Sequence, residues 1–146
     1  MATSAKEVKI LHELVPVETK GDTDIIDITT DIQRIVQKTD VEAGMLVASV
    51  NGSTASLTTI EFEPGLVKDF KAALERLFPK SMAYAHDAAW GDGNGYAHIR
   101  ASMIGSSVTV PIHRSKLQLG TWQQIVLIDF DNRPRHRDLF IQIVGQ

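Results

Sequence analysis

Apolar and polar residues alternate from Glu7 through Glu18, beginning Glu7-Val8-Lys9-Ile10-Leu11-His12, which predicts a half-buried strand. Gly21-Asp22 turns the chain into a short strand, Asp24–Ile28. Thr30 with Gln33 three residues later matches a capping box, and Ile32, Ile35 and Val36 then line one face of a helix reaching Lys38. Met45–Val50 reads as a strongly apolar strand, Asn51-Gly52-Ser53-Thr54 breaks it, and Leu57–Phe62 forms the next. Pro64 stands where a first helical turn tolerates proline. Leu66, Phe70, Ala73, Leu74, Leu77 and Phe78 give that helix an apolar stripe, and Pro79 ends it. Residues 84–95 read as a glycine-dense loop, followed by a helix over Ala97–Ile104 closed by Gly105. Ser107–His113, Gln123–Phe130 and Arg135–Val144, with turns near Arg114-Ser115-Lys116 and Asp131-Asn132-Arg133-Pro134, predict an antiparallel meander.

Seven or eight strands with about three short helices, not in regular alternation, predict an α+β fold. The expected form is one compact domain over residues 1–146, of mainly antiparallel sheets in a sandwich or partly closed barrel. A chain of 146 residues suits one domain with its own core. With 15 basic and 18 acidic residues and no long basic run, a general nucleic-acid binder is not expected. The absence of cysteine excludes disulfides, Cys-ligated zinc and thiol catalysis, and fits a reducing interior. Met1-Ala2-Thr3-Ser4-Ala5-Lys6 leads into a polar-interrupted segment instead of an apolar signal core, and no run approaches a membrane span. The expectation is a cytoplasmic protein.

Polar chemistry is densest between Tyr84 and Arg100. His86 and His98, separated by eleven residues, flank a loop carrying Asp87, Asp92 and Asn94. Two imidazoles beside carboxylates suit a divalent cation, an acid/base pair, or ordinary hydrogen-bonded histidines, and the spacing matches no standard zinc pattern. Gly91-Asp92-Gly93-Asn94-Gly95 reads either as an anion cradle ahead of a helix or as a tight turn, and fits neither common phosphate-loop fingerprint. The Asn51–Ser56 break, rich in small donors, is a phosphate contact or a polar hairpin turn. Arg135 and Arg137 share a strand face with Leu139, Ile141 and Ile143, as an anion pocket or a solvated strand end. Glu61 and Glu63 precede a helix start and complement its dipole. Trp122, beside Gln123, is read as core or subunit interface, and His12, His113 and His136 as structural or surface residues.

Three stretches together resemble the YjbQ family. They are Gly52-Ser53-Thr54-Ala55-Ser56-Leu57-Thr58-Thr59-Ile60-Glu61 with Phe62–Leu66; His86-Asp87 with Asn94 and Ala97–Gly105; and Val110-Pro111-Ile112 with Lys116–Ile125, ending near Arg135 and Arg137. The likeness runs over most of the chain from about residue 5. The resemblance implies a compact α+β fold assembled as a homotrimer, with a pocket between subunits lined by these polar stretches. It also implies a modest ability to join a pyrimidine diphosphate to thiazole phosphate, giving thiamine phosphate. On that basis His86, His98, Glu61 and Asp87 are the candidate catalytic residues. Ser53, Thr54, Asn94, Gln123, Arg135 and Arg137 are the candidate phosphate or substrate contacts, and His86 and His98 the candidate ligands of a zinc or magnesium ion. The alternative is a non-catalytic module binding a small phosphorylated metabolite at a trimer interface. Many relatives carry histidine where this chain has Gly52, a departure that bears on any metal site.

Overall fold

A computed structural model describes residues 6–146; the reading of the first residues as lacking a signal core falls partly on residues 1–5, outside the described ones. Eight strands form two antiparallel sheets. β1 (Lys9–Thr19), β8 (Arg135–Gly145), β3 (Ala43–Val50), β5 (Ser107–His113) and β6 (Lys116–Leu117) make the larger sheet, in that order. β2 (Asp24–Asp27), β7 (Gln124–Asp129) and β4 (Ala55–Ile60) make the smaller. The inner faces of the two sheets meet in the main core, where Leu46, Ala48, Leu139, Ile141 and Ile143 of one face Leu57, Ile125 and Leu127 of the other. Helix α1 (Thr29–Lys38) adds Ile32, Ile35 and Val36 to the same core. The expected stacked α+β domain is therefore present.

The small sheet is covered on its second face by α2 (Pro64–Leu77) and α4 (Gly95–Ile104), which bring Leu74, Tyr96, Ala97 and Ala101 onto Ile25, Val126 and Ile128. β7 thus has apolar neighbours on both sides, which its sequence Ile125-Val126-Leu127-Ile128 requires. This overturns the expected meander. A strand apolar on both faces belongs between layers, so β7 leaves the β5–β6 sheet to lie between β2 and β4. β8, which alternates and can leave one face wet, returns to the larger sheet between β1 and β3.

Two local expectations also change. Thr30 and Gln33 do not form a capping box: the helix starts at Thr29, whose amide donates to the Asp27 carboxylate at 2.9 Å. The Gln33 amide instead donates to the Ser115 carbonyl at 3.2 Å and accepts from the Leu117 amide at 3.0 Å, satisfying backbone groups of the short edge strand β6. The loop over residues 84–95 contains a fourth helix, α3 (Ala85–Trp90). Six residues, none of them buried, are too few to show a helical period; Gly91, left-handed at φ 72°, marks its end. The stripe on α2 is only partly covered, with Leu74 buried but Leu66 and Leu77 exposed. Trp122 is 71% exposed, so it is not core.

Candidate functional site

At one end of the small sheet, β7 finishes in Asp129, Asp131 follows in the β7–β8 turn, and β8 opens with Arg135 and Arg137 either side of His136. Alternation puts Arg137 on the inner face of β8, where Nε and Nη2 donate to the two oxygens of Asp129 at 2.7 and 3.0 Å. The Thr19 hydroxyl donates to Asp129 at 2.6 Å, and Nη2 of Arg137 also donates to the Thr54 hydroxyl at 2.6 Å. That hydroxyl donates in turn to Asp131 at 3.2 Å. Arg135 donates to Asp131 through Nε at 2.7 Å, with Nη2 at 2.6 Å. Burial alone would push the Asp131 carboxyl up, but hydrogen bonds from the Asn132 amide, the Asn94 side chain and Arg135 outweigh it and hold the group below the usual carboxylate range. Both aspartates are wholly buried and paired, as charges in a dry interior must be.

Asp129 and Asp131 escape a sequence reading because Asp129 ends an apolar strand and Asp131 does lie in the expected turn, where a carboxylate is ordinary. The available signal was the pattern Asp-x-Asp closing an apolar strand, opposite Arg-x-Arg opening the next.

The network fixes Arg137 with one amine to spare. Its Nη1 faces Gly52, where a Cβ would lie 2.7 Å away. Gly52 adopts φ +129°, a conformation that side chains resist, so the turn and the open approach to Arg137 both depend on glycine. Beside it, Gly52, Ser53, Ser102, Gly105 and Ser106 line a cleft of about 250 Å³ between the turn and the C-terminal half of α4. Thr54 is not free to meet a ligand in the same way, because its hydroxyl already joins Arg137 to Asp131.

His98 stands on α4 one turn before Ser102, whose hydroxyl donates to the His98 carbonyl at 2.8 Å. The His86 ring packs on it with centroids 4.3 Å apart and planes tilted by 38°. Nδ1 of His86 is buried without a hydrogen-bond partner, and the nearest carboxylate oxygen, of Asp87, is 3.6 Å away. That oxygen accepts from the Gly95 amide at 2.8 Å, so Asp87 holds the start of α4. Gly95 is required there, since a Cβ would lie 2.5 Å from that of Tyr84. Asn94, 5% exposed, donates to Asp131 through Nδ2 at 3.2 Å and keeps a buried Oδ1 with no partner. No group of three or more His, Asp or Glu converges among the described residues to hold a metal ion.

Burial, and then the neighbouring His86, push the His98 imidazole below its ordinary value. The unfolded chain therefore takes up the proton first as pH falls, and stability held above the unfolded value is lost between that value and the lowered one. Melting temperatures of the wild type and His98→Gln, measured from pH 7.5 to 5.5, should diverge, with the wild type falling further. The exposed His136, raised by its Glu18 partner, acts in the opposite sense in both proteins and cancels in the comparison.

Eight of the ten nominated residues thus gather around one end of the small sheet: Ser53, Thr54, His86, Asp87, Asn94, His98, Arg135 and Arg137. Glu61 and Gln123 do not join them. Ala55 pairs with Asp129 at the network end, whereas Ile60 pairs with Gln124 at the other, roughly 16 Å along the strand. There the Gln123 amide donates to Thr59 at 3.1 Å and accepts from the Gly120 amide at 3.0 Å. Glu63, beside Glu61, caps α2 by accepting from the amides of Gly65 and Leu66, both at 2.8 Å.

Residues 13–146 match the family model described as UPF0047 protein YjbQ-like. A UPF0047 protein of Archaeoglobus fulgidus is 38% identical over 119 residues, covering 82% of this chain and 90% of its own. The UPF0047 protein YugU of Bacillus subtilis is 32% identical over 129 residues, covering 87% and 93%. Among solved structures, a YbjQ-like protein of unknown function from Sulfolobus solfataricus superposes with a TM-score of 0.91 at 28% identity, over 96% of this chain and 100% of its own. An uncharacterised YjbQ/UPF0047 protein from Clostridium acetobutylicum gives 0.82 at 36% identity, over 90% and 98%.

Proposed function

The chain belongs to the YjbQ family, and on that premise we propose that it binds a small phosphorylated metabolite in the cleft between the Gly52 turn and α4. We propose further that it uses this cleft to join a pyrimidine diphosphate to thiazole phosphate at a modest rate. The observation that carries the reading is Arg137. It is buried and held on two edges by Asp129 and Thr54, and its Nη1 faces a turn that glycine leaves open. A guanidinium locked in this way gives its remaining donors to an incoming phosphate oxygen with little further loss of side-chain freedom. The Ser53 hydroxyl supplies a further donor in the same cleft, whereas the Ser102 hydroxyl is already given to the His98 carbonyl.

In the coupling step the thiazole nitrogen lone pair attacks the pyrimidine methylene carbon. The carbon–oxygen bond breaks, and pyrophosphate leaves with that electron pair. No oxidant or reductant is consumed. Donors aimed at the departing anion stabilise it, and holding both reactants together supplies the rest by proximity. His86 and His98 are the proton-transfer pair: one ring, protonated from solvent, gives its proton to the departing pyrophosphate oxygen, and burial, which disfavours the charged form of His98, makes that proton easier to give up. The described residues do not offer three ligands for a resident zinc or magnesium ion, so no step is assigned to one.

We propose the homotrimer that the family resemblance implies, assembled so that Glu61 and Gln123 of one copy would meet the histidine end of the next. No helix among the described residues is long and apolar enough to cross a membrane, and the proposed setting is the cytoplasm.

One observation favours the plainer reading, a binding module without turnover. Neither histidine has a carboxylate hydrogen-bonded to it to fix its tautomer, and the His86–Asp87 approach of 3.6 Å is too long.

Binding is tested by titrating thiamine phosphate and thiamine into the wild type and Gly52→Ala. The phosphate should tighten wild-type binding at least about tenfold, a difference of roughly 1.4 kcal/mol. Gly52→Ala should abolish that gain by placing a methyl group against Nη1. Equal affinity for the two ligands, or an undiminished gain in the variant, would remove the phosphate site from the Gly52 turn.

A further inference from the structure

A second cleft, of about 280 Å³, lies on the other side of Asn94, between the α3–α4 loop and the β7–β8 turn, and is lined by Asp92, Asn94, Asn132, Arg133 and Arg135. We propose that it is a diphosphate subsite that takes its anion as the magnesium complex, the cation arriving on the ligand instead of residing in the protein. The inference rests on the phosphorylated-metabolite reading above, and deepens it by separating the place of the diphosphate from that of the monophosphate.

The lining carries the argument because it combines groups that a bare anion would not want together. Arg133 is exposed and stands outside the ion pairs of the network. Arg135 gives Nε and Nη2 to Asp131, which leaves its Nη1 unused. These are donors for phosphate oxygens. Asp92, however, brings an acidic residue to the same cleft, and the Asn94 beside it is nearly buried. A carboxylate repels free diphosphate but is a natural ligand for a magnesium ion bridging two phosphate oxygens. Arginine donors and oxygen acceptors in one cleft thus complement the two halves of a magnesium diphosphate. The same logic explains why a protein acting on a diphosphate has no convergent group of three metal ligands among its described residues.

The test is calorimetric titration of inorganic pyrophosphate into the full chain, with magnesium and with a chelator, for the wild type, Asp92→Asn and Arg133→Gln. Magnesium should tighten wild-type binding at least about tenfold. Asp92→Asn should lose that gain while binding magnesium-free pyrophosphate more tightly than the wild type does, and Arg133→Gln should weaken both. Thiamine phosphate, titrated in parallel, should bind the wild type and Asp92→Asn alike. Pyrophosphate that fails to bind, binds equally without magnesium, or keeps its full gain in Asp92→Asn overturns the inference. If thiamine phosphate still binds, the loss is confined to this subsite; if it does not, the underlying reading fails with it.

Discussion

Arg137→Leu should cost about 3–5 kcal/mol of folding stability, the range for removing one partner of a buried ion pair. Leucine fills part of the volume, so the loss is electrostatic more than steric. Asp129, at 0% exposure, would keep only the Thr19 hydroxyl and the Asp131 amide as donors. Thr54 would lose the donor that orients its hydroxyl toward Asp131. Against a total stability of about 5–15 kcal/mol this is a large fraction. For a chain of this length it amounts to a fall in melting temperature of roughly 10 °C. Adding Asp129→Asn should recover part of the loss, because the orphaned charge is then gone. Thermal unfolding of the two single variants and the double variant checks this. Equal melting temperatures for wild type and Arg137→Leu would show that the network contributes little.

Arg100→Leu is the second large effect, at about 3 kcal/mol from the loss of several buried hydrogen bonds to one cation. Arg100 is 1% exposed and joins three parts of the chain. Nε and Nη2 donate to the Phe78 carbonyl at 3.2 and 2.7 Å, where α2 ends and its dipole favours a cation. Nη1 donates to the Thr23 hydroxyl at 3.2 Å, in the β1–β2 turn, and Nη2 reaches Glu75 at 2.7 Å. The guanidinium also lies 5.0 Å from the centre of the Tyr96 ring. Glu75 is half exposed and returns to water when the arginine is removed, so the loss is smaller than for Arg137. Arg100→Lys keeps the charge but not the planar fork, and should recover less than half of the lost stability. Limited proteolysis should find new cleavage between Phe78 and Tyr84 in Arg100→Leu. An unchanged melting temperature and digestion pattern would refute the role.

Much of this was legible in the residues, for reasons that differ from element to element. α2 and β8 follow from long periodic patterns with clear ends. The shared face of Arg135 and Arg137 follows from the two-residue period alone. His86 and His98, with eleven residues between them in the chain, gave no direct sign that their rings would touch; α3 is too short for periodicity, and only the fold brings it onto α4. The partnership of Arg137 with Asp129 was hidden for another reason. β7 and β8 are consecutive in sequence but lie in different sheets, so the pairing crosses between layers where a local reading expects a hairpin. Gln123 and Glu61, chosen in the sequence with the histidines, sit at the far end of β4 and β7. The chain alone does not say which end of a strand faces which neighbour.

The central claim, that the histidine end of the small sheet is a working site for phosphorylated substrates, is tested most directly by product formation. The purified protein would be incubated with the pyrimidine diphosphate, thiazole phosphate and magnesium, and thiamine phosphate followed by mass spectrometry. The wild type should form product slowly but above the uncatalysed background. His98→Ala and His86→Ala should each reduce the rate by at least about tenfold, within the range for removing a general acid or base, while both variants still bind thiamine phosphate. Product at the wild-type rate in both variants, or none above background from the wild type, would contradict the account and leave the cleft a binding site at most.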